Sequence, residues 1–300
     1  MRKSLALTLS AGLLVALAGC SGAPAAPDCS KVTPSGGASS IVTADGAIGA
    51  DPAATFPFPL VVEKAQASVL TEGEGDPIGI GGTIAGSYTI YDGESGQPAG
   101  ATQATALVVS EGLPAGLRNA LLCSTAGQRT VVVLPNDEAT QIVAGAPGSI
   151  VMVFDISAAF PQAADGDTQP AQSGFPGVVH ADDGRPGVTI GSLTAPDEAK
   201  SALLKKGDGA EIATGDTVVV QSTAVSYSTR EVTSSTWEDG TPGVWTMTED
   251  TAAASAGQPA GISEFLVGQT VGSEVLAVVP DGSGSATAYV IDIVGVLPAS

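Results

Sequence analysis

Among its 300 residues the sequence has a single histidine, His180, only three cysteines, and aromatic side chains at just 4%. One histidine, with no cysteine or carboxylate at ligand spacing around it, does not make a zinc centre, and the sequence offers no metal site. It leaves a Ser-His-Asp hydrolase one candidate base and no nucleophile-elbow motif to go with it. Basic residues are scarce as well: 11 Lys and Arg stand against 31 Asp and Glu, a formal charge of −20. A surface this acidic repels phosphates, which argues against nucleic acid as a partner, and it favours solubility. The low aromatic content, with 39 Gly and abundant Ala, Val and Thr, fits small domains built of short strands and tight turns.

Arg2 and Lys3 precede an apolar run over residues 5–18, too short to span a bilayer comfortably, which reads as a secretory leader. The run ends in Leu17-Ala18-Gly19-Cys20, which resembles the lipobox of bacterial lipoproteins. That resemblance implies that residues 1–19 are a signal peptide and that Cys20 is diacylated. The protein is then held at the extracytoplasmic face of the cell membrane, its acyl chains in the lipid bilayer. Residues 20–40, rich in Ser, Ala, Pro and Gly, read as a tether. Cys29 and Cys123 remain, an even pair that in an exported protein suggests a disulfide. Cys123, in the run Leu121-Leu122-Cys123, equally fits a buried thiol on a helix.

What the sequence does have is an internal repeat. The stretch VLTEGEGDPIGIGGTI at 69–84 returns as LLKKGDGAEIATGDTV at 203–218. Ungapped, it pairs Leu70 with Leu204, Gly73 with Gly207, Gly75 with Gly209, Ile78 with Ile212, Gly81 with Gly215 and Thr83 with Thr217. GLRNALLCSTAGQRTVVVLPND at 116–137 then matches GISEFLVGQTVGSEVLAVVPDG at 261–282, and IVMVFDI at 150–156 matches TAYVIDI at 287–293. The offset changes between blocks, as it does when duplicated domains diverge in their loops. Two domains are expected, at 41–161 and 182–298, with a Pro- and Gly-rich linker at 162–181 between them. Each reads as an extended lead-in (58–64 and 187–193), a Gly turn, a strand (83–91 and 217–227), a short helix (116–122 and 262–267) and two closing strands. The closing strands fall at 129–134 and 151–156 in the first copy, and at 274–279 and 288–294 in the second. This is an α+β unit whose sheet covers one helix. The acidic turns at 72–76 and 208–209 are compatible with weak calcium binding, but turn chemistry explains them more simply. Trp237 and Trp245 fall in the variable stretch of the second copy, as a protein contact or as local core anchors.

The order of these motifs resembles the FKBP-type peptidyl-prolyl cis-trans isomerases, here as a tandem in a lipoprotein of actinobacterial style. The resemblance implies two half-open antiparallel sheets, each wrapped over one short helix. It also implies an apolar pocket acting on proline-containing exported polypeptides, with no cofactor. On the same basis Tyr88, Leu117 and Phe154 are its catalytic pocket residues in the first copy. Ala99 and Gly100 stand where the family has Phe-Asp, Asp137 where it has a tyrosine, and Pro114 near a substrate-binding N–H. In the second copy Ser222, Val232, Thr233, Ile262, Gly282 and Ile291 occupy the matching positions, so its pocket reads as emptied of aromatics. The alternative is a non-catalytic binding or chaperone module that keeps the fold.

Overall fold

A computed structural model describes residues 27–50, 52–248, 255 and 257–297. The leader and Cys20 lie outside them. Among the described residues no helix is long and apolar enough to cross a membrane.

The first unit contains α1 (Gly37–Ser40), β1 (Thr43–Asp45), β2 (Ala53–Thr55), β3 (Gln66–Thr71), β4 (Thr83–Asp92) and β5 (Gln103–Val108). It continues through α2 (Ala115–Leu121), β6 (Arg129–Leu134), α3 (Asn136–Ile142) and β7 (Ile150–Phe160). Its main sheet is antiparallel in the order β3-β6-β7-β4-β5. The run RTVVVL of β6 is buried along its whole length, because alternate residues serve two cores. Val132 and Leu134 join Ile150, Met152, Phe154 and Ile156 beneath α2, while Val131 and Val133 join Val151 and Val153 on the other face. Seven residues are too few for a helix to persist alone. The burial of Leu117, Ala120 and Leu121 against the sheet holds α2 in place.

The second unit contains β8 (Asp167–Thr168), β9 (Gly177–His180), β10 (Pro186–Thr189), β11 (Lys200–Lys206), β12 (Thr217–Ser226) and β13 (Val232–Ser235). Then come α4 (Thr236–Asp239), β14 (Gly243–Thr246), α5 (Ser263–Leu266), β15 (Glu274–Pro280) and β16 (Ala286–Val296). The sheet runs β13-β12-β16-β15-β11-β8, with β14 also on β12. Its central strands β11-β15-β16-β12 follow the order β3-β6-β7-β4 of the first unit.

The repeat is visible bond by bond. Ile78 N donates to Ser124 O and Cys123 N to Ile78 O, and the same roles recur in Ile212 N to Gln269 O and Gly268 N to Ile212 O. Gly127 N meets Ile156 O as Gly272 N meets Ile293 O. Bulges fall at Ala85/Gly86 and at Val219/Val220. A Cβ on Gly73 would strike the carbonyl of Ala126, and one on Gly207 the carbonyl of Val271, so both matched glycines are required by close backbone approach.

Three expectations need correction. The expected tether at 20–40 is folded from its later part onward. Thr33 Oγ1 donates to Gly116 O at 2.8 Å, the amides of Ala38 and Ser39 donate to Gln66 Oε1, and Ser39 is fully buried. The expected linker at 162–181 is folded too: Ala163 and Ala164 are buried, β8 pairs with β11, and β9 pairs with β10. The lead-ins at 58–64 and 187–193 are not strands of the main sheets; β3 and β11 take that role. The physical reason is one feature present twice. A hairpin, β1–β2 or β9–β10, lies with its flanking chain over the outer face of each sheet. Val42, Phe56, Leu60 and Val62 pack on one, Ile190 with Val178 and Val188 on the other.

The units meet through matched positions. Ala85, Ala158 and Phe160 of the first cluster with Val219, Val294 and Leu297 of the second, and the Phe160 ring occupies the place a Cβ on Gly295 would take.

Candidate functional site

β4 and β7 place Tyr88 and Phe154 directly opposite each other. Their rings lie 5.4 Å apart between centroids at a tilt of 33°, within the range of favourable aromatic pairs. Leu117 reaches the same cluster from α2. Phe154 and Leu117 are 1% and 3% exposed, while Tyr88 is half-buried at the edge and its hydroxyl has no hydrogen-bond partner among the described residues. The structure thus brings the three expected pocket residues together. Met152, Ile90 and Leu107 join them, which sequence reasoning did not single out because alternating apolar residues on strands read as ordinary core.

The chemistry available here is apolar. An aromatic pair and aliphatic side chains can take a ring or a weakly polar group from water. Of the three expected residues, only Tyr88 is open to solvent. Ala99 and Gly100 are exposed in a turn, with Ala99 N bonded to Ile90 O. Asp137 is exposed in the first turn of α3. Pro114 is the N-cap of α2, and the neighbouring helix carboxylate of Glu138 accepts from Gly116 N at 2.7 Å.

In the second unit Ser222 and Ile291 face each other where the first has Tyr88 and Phe154. Ile262 and Ile291 are fully buried, Val232 and Gly282 exposed. The matched pocket positions carry no aromatic side chain, but the interior around them does. β14 brings Trp245, 2% exposed, into the same cluster as Ile262 and Ile291, with Phe265 and Tyr289 packed against it. The sequence marks Trp245 as a candidate core anchor, but its register on β12, opposite Val218, has no local signal.

Cys29 and Cys123 are joined, with Cα atoms 5.8 Å apart across 94 residues of chain, fixing the first residues of the fold to the end of α2. Among the described residues, no group of three or more His, Cys, Asp or Glu is placed to hold a metal ion.

No family model matches the sequence, and a search of curated proteins gave no match. Solved structures do show likenesses. The three FKBP domains of wheat FKBP73 align at 14% identity over 78% of this chain and 94% of that one, with a TM-score of 0.33. The N-terminal domain of FKBP42 from Arabidopsis thaliana aligns at 13% identity over 41% of this chain and all of that one, at 0.28. An FKBP12 from Mycobacterium tuberculosis aligns at 23% identity over 34% of this chain and 86% of that one, at 0.26. All three scores lie below one half, too low to settle fold or function.

Proposed function

We propose that the chain is a tandem FKBP-like protein of the cell envelope whose first unit catalyses peptidyl-prolyl cis-trans isomerisation of exported polypeptides. The observation that carries this is the convergence of Tyr88, Leu117 and Phe154 on one apolar cluster between sheet and helix, in a chain repeating the family's three motifs twice. Turning an X-Pro bond takes its amide through a twisted state that has lost resonance and much of its dipole. The uncatalysed barrier is roughly 18–20 kcal/mol. An apolar wall favours the twisted amide over the planar one, and each ~1.4 kcal/mol of that preference is worth a factor of ten in rate. Tyr88, half-buried at the edge of the cluster, is the member beside which a proline ring would reach the apolar wall. The second unit has Trp245 in its interior and, among the described residues, no aromatic pair across its strands, which supports a binding or chaperone role for it.

The test is the rate of cis-trans interconversion of a proline peptide with the full chain present. Acceleration over the spontaneous rate supports the enzyme. A spontaneous rate together with capture of unfolded polypeptide replaces it with the binding module.

Anchoring is part of the same proposal: Cys20 carries the lipid, and the chain from there to Asp28 separates the fold from the bilayer. Lipid labelling of the wild type that vanishes in Cys20→Ala is the expected result; label that survives the substitution contradicts it.

A further inference from the structure

Matched positions of the two sheets carry opposite chemistry. In the first unit Arg129 of β6 and Asp155 of β7 stand opposite each other and form a two-bond ion pair at 2.6 and 2.7 Å, at 3% and 1% exposure. Arg129 also donates to the carbonyls of Ala44, Gly46 and Ala47, and Asp155 accepts from Gly49 N, so the pair pins the β1–β2 hairpin. In the second unit these two positions are Glu274 and Asp292, again opposite each other and both fully buried.

Two acids therefore face each other where the first unit has an acid and a base. Their partners come from other elements. His180 of β9 places Nε2 2.7 Å from Glu274 Oε1, and Lys205 of β11 places Nζ 3.1 Å from Oε2. Lys205 also donates to Ala164 O at 2.9 Å, while Asp292 Oδ1 accepts from Ala164 N at 2.9 Å. Gln221 of β12, opposite Asp292, adds no charge. Neither Asp292 Oδ2 nor Glu274 Oε2 has a hydrogen-bond partner among the described residues, but Lys205 Nζ forms an ion pair with the latter, so Asp292 Oδ2 is the atom of the pair left without a facing cation.

We propose that Glu274, Asp292, His180 and Lys205 form a proton-operated latch, which holds the β9–β10 hairpin and the connector at Ala164 on the second unit in mild acid and loosens as pH rises towards neutrality. The unpartnered Asp292 Oδ2 is where the proton sits. Burial first, and then the charge of Glu274, push this carboxyl up to about 7, against the smaller opposing effects of Ala164 N, Lys205 and His180. With the latch open, an aspartate returns to its ordinary range near ~3.9. Protonation thus favours the closed form. The stabilisation is full below the ordinary value and is lost as pH climbs through the raised one. The hairpin and the chain after it cover the apolar outer face of Tyr227, Leu276, Val278 and Val290. Beside His180 lies a cleft of about 350 Å³ between hairpin and sheet, lined also by the charged Arg185 and Glu238 and by Thr223 and Ser235.

Hydrogen exchange of the full chain, followed by mass spectrometry from about pH 5 to 8 and corrected for intrinsic rates, tests this. Opening of residues 177–189 is expected to rise by up to about tenfold per pH unit between about pH 5 and 7 and then level off, the behaviour of one linked proton. The hairpin at 43–55, held by Arg129 and Asp155, is the internal control and is expected to stay flat. Asp292→Asn, an uncharged group of the same shape, is expected to remove the dependence and keep the hairpin closed at the upper pH. The Asp292 carboxyl carbon, titrated by NMR in the wild type, needs no variant and should show a midpoint near 7. A midpoint below about 5, equal profiles in the two hairpins, or a wild-type profile in Asp292→Asn would each overturn the latch.

Discussion

Cys123 stands in the left-handed region at φ 61°, and the matched residue of the second unit, Gly268, has φ 82°. The fold demands that conformation where the chain leaves the helix, and only the second copy meets it with the residue that adopts it freely. In the first copy the disulfide to Cys29 is made at the strained position. For an L-residue this conformation costs roughly 1–2 kcal/mol. With the bridge removed, Cys29→Ala with Cys123→Gly should therefore be more stable than Cys29→Ala with Cys123→Ala by about 1 kcal/mol in chemical denaturation. Equal midpoints would show that the backbone there relaxes. At this scale the sequence was informative about kinds of residue rather than partners. Tyr88 and Phe154 could be placed on matching strands by motif, and they do pair. The buried Arg129–Asp155 bridge and its Glu274–Asp292 counterpart went unseen, since a charge at one strand position reads as solvated until the hairpin covering it is known. Burial of that bridge is stabilised by hydrogen bonding, and Asp155 holds the Arg129 guanidinium above its usual range.

The strands and helices legible in sequence were those with continuous or alternating apolar residues. The expected strand at 129–134 is β6, and the expected helix at 116–122 differs from α2 by one residue. The hairpins were not legible. Their short strands are interrupted by Gly, Asp and Pro turn residues, and their order comes from pairing and from the sheet face beneath them, which no local pattern encodes. This has a consequence for dissection. A fragment of residues 57–161 keeps Tyr88, Leu117 and Phe154 but loses Val42, Phe56 and the Cys29 bridge, and bares the outer core of Val131, Val133, Val151 and Val153. Each large apolar side chain so buried contributes roughly 1.5–3 kcal/mol, and a bridge closing a loop of this length up to about 4–5 kcal/mol in the chain-entropy account. Thermal denaturation should find the fragment of residues 27–161 folded and that of 57–161 much less stable or unfolded. Equal stability would mean that the hairpin is an ornament on a self-sufficient sheet.

In the whole molecule, one folding unit has been used twice and its two interiors have diverged. Phe160 and Leu297, at matched ends of the last strands, sit in a shared cluster with the two bulge positions, Ala85 and Val219. The first unit keeps an aromatic pair across its central strands, while the second has exchanged it for Ser222 and Ile291 and takes Trp245 from a neighbouring strand. The repeat was legible because glycines under backbone constraint resist change, while the Trp245 substitution was not, because it moves an aromatic between strands. The central claim is that isomerisation resides in the first unit. It is tested most directly by the isomerisation rate of a proline peptide with three full-length proteins: wild type, Phe154→Leu and Ile291→Val. Leucine keeps the site apolar and nearly filled, so the fold should hold. The account predicts acceleration by the wild type, a large loss in Phe154→Leu, and none in Ile291→Val. Acceleration that survives Phe154→Leu but falls in Ile291→Val would contradict it.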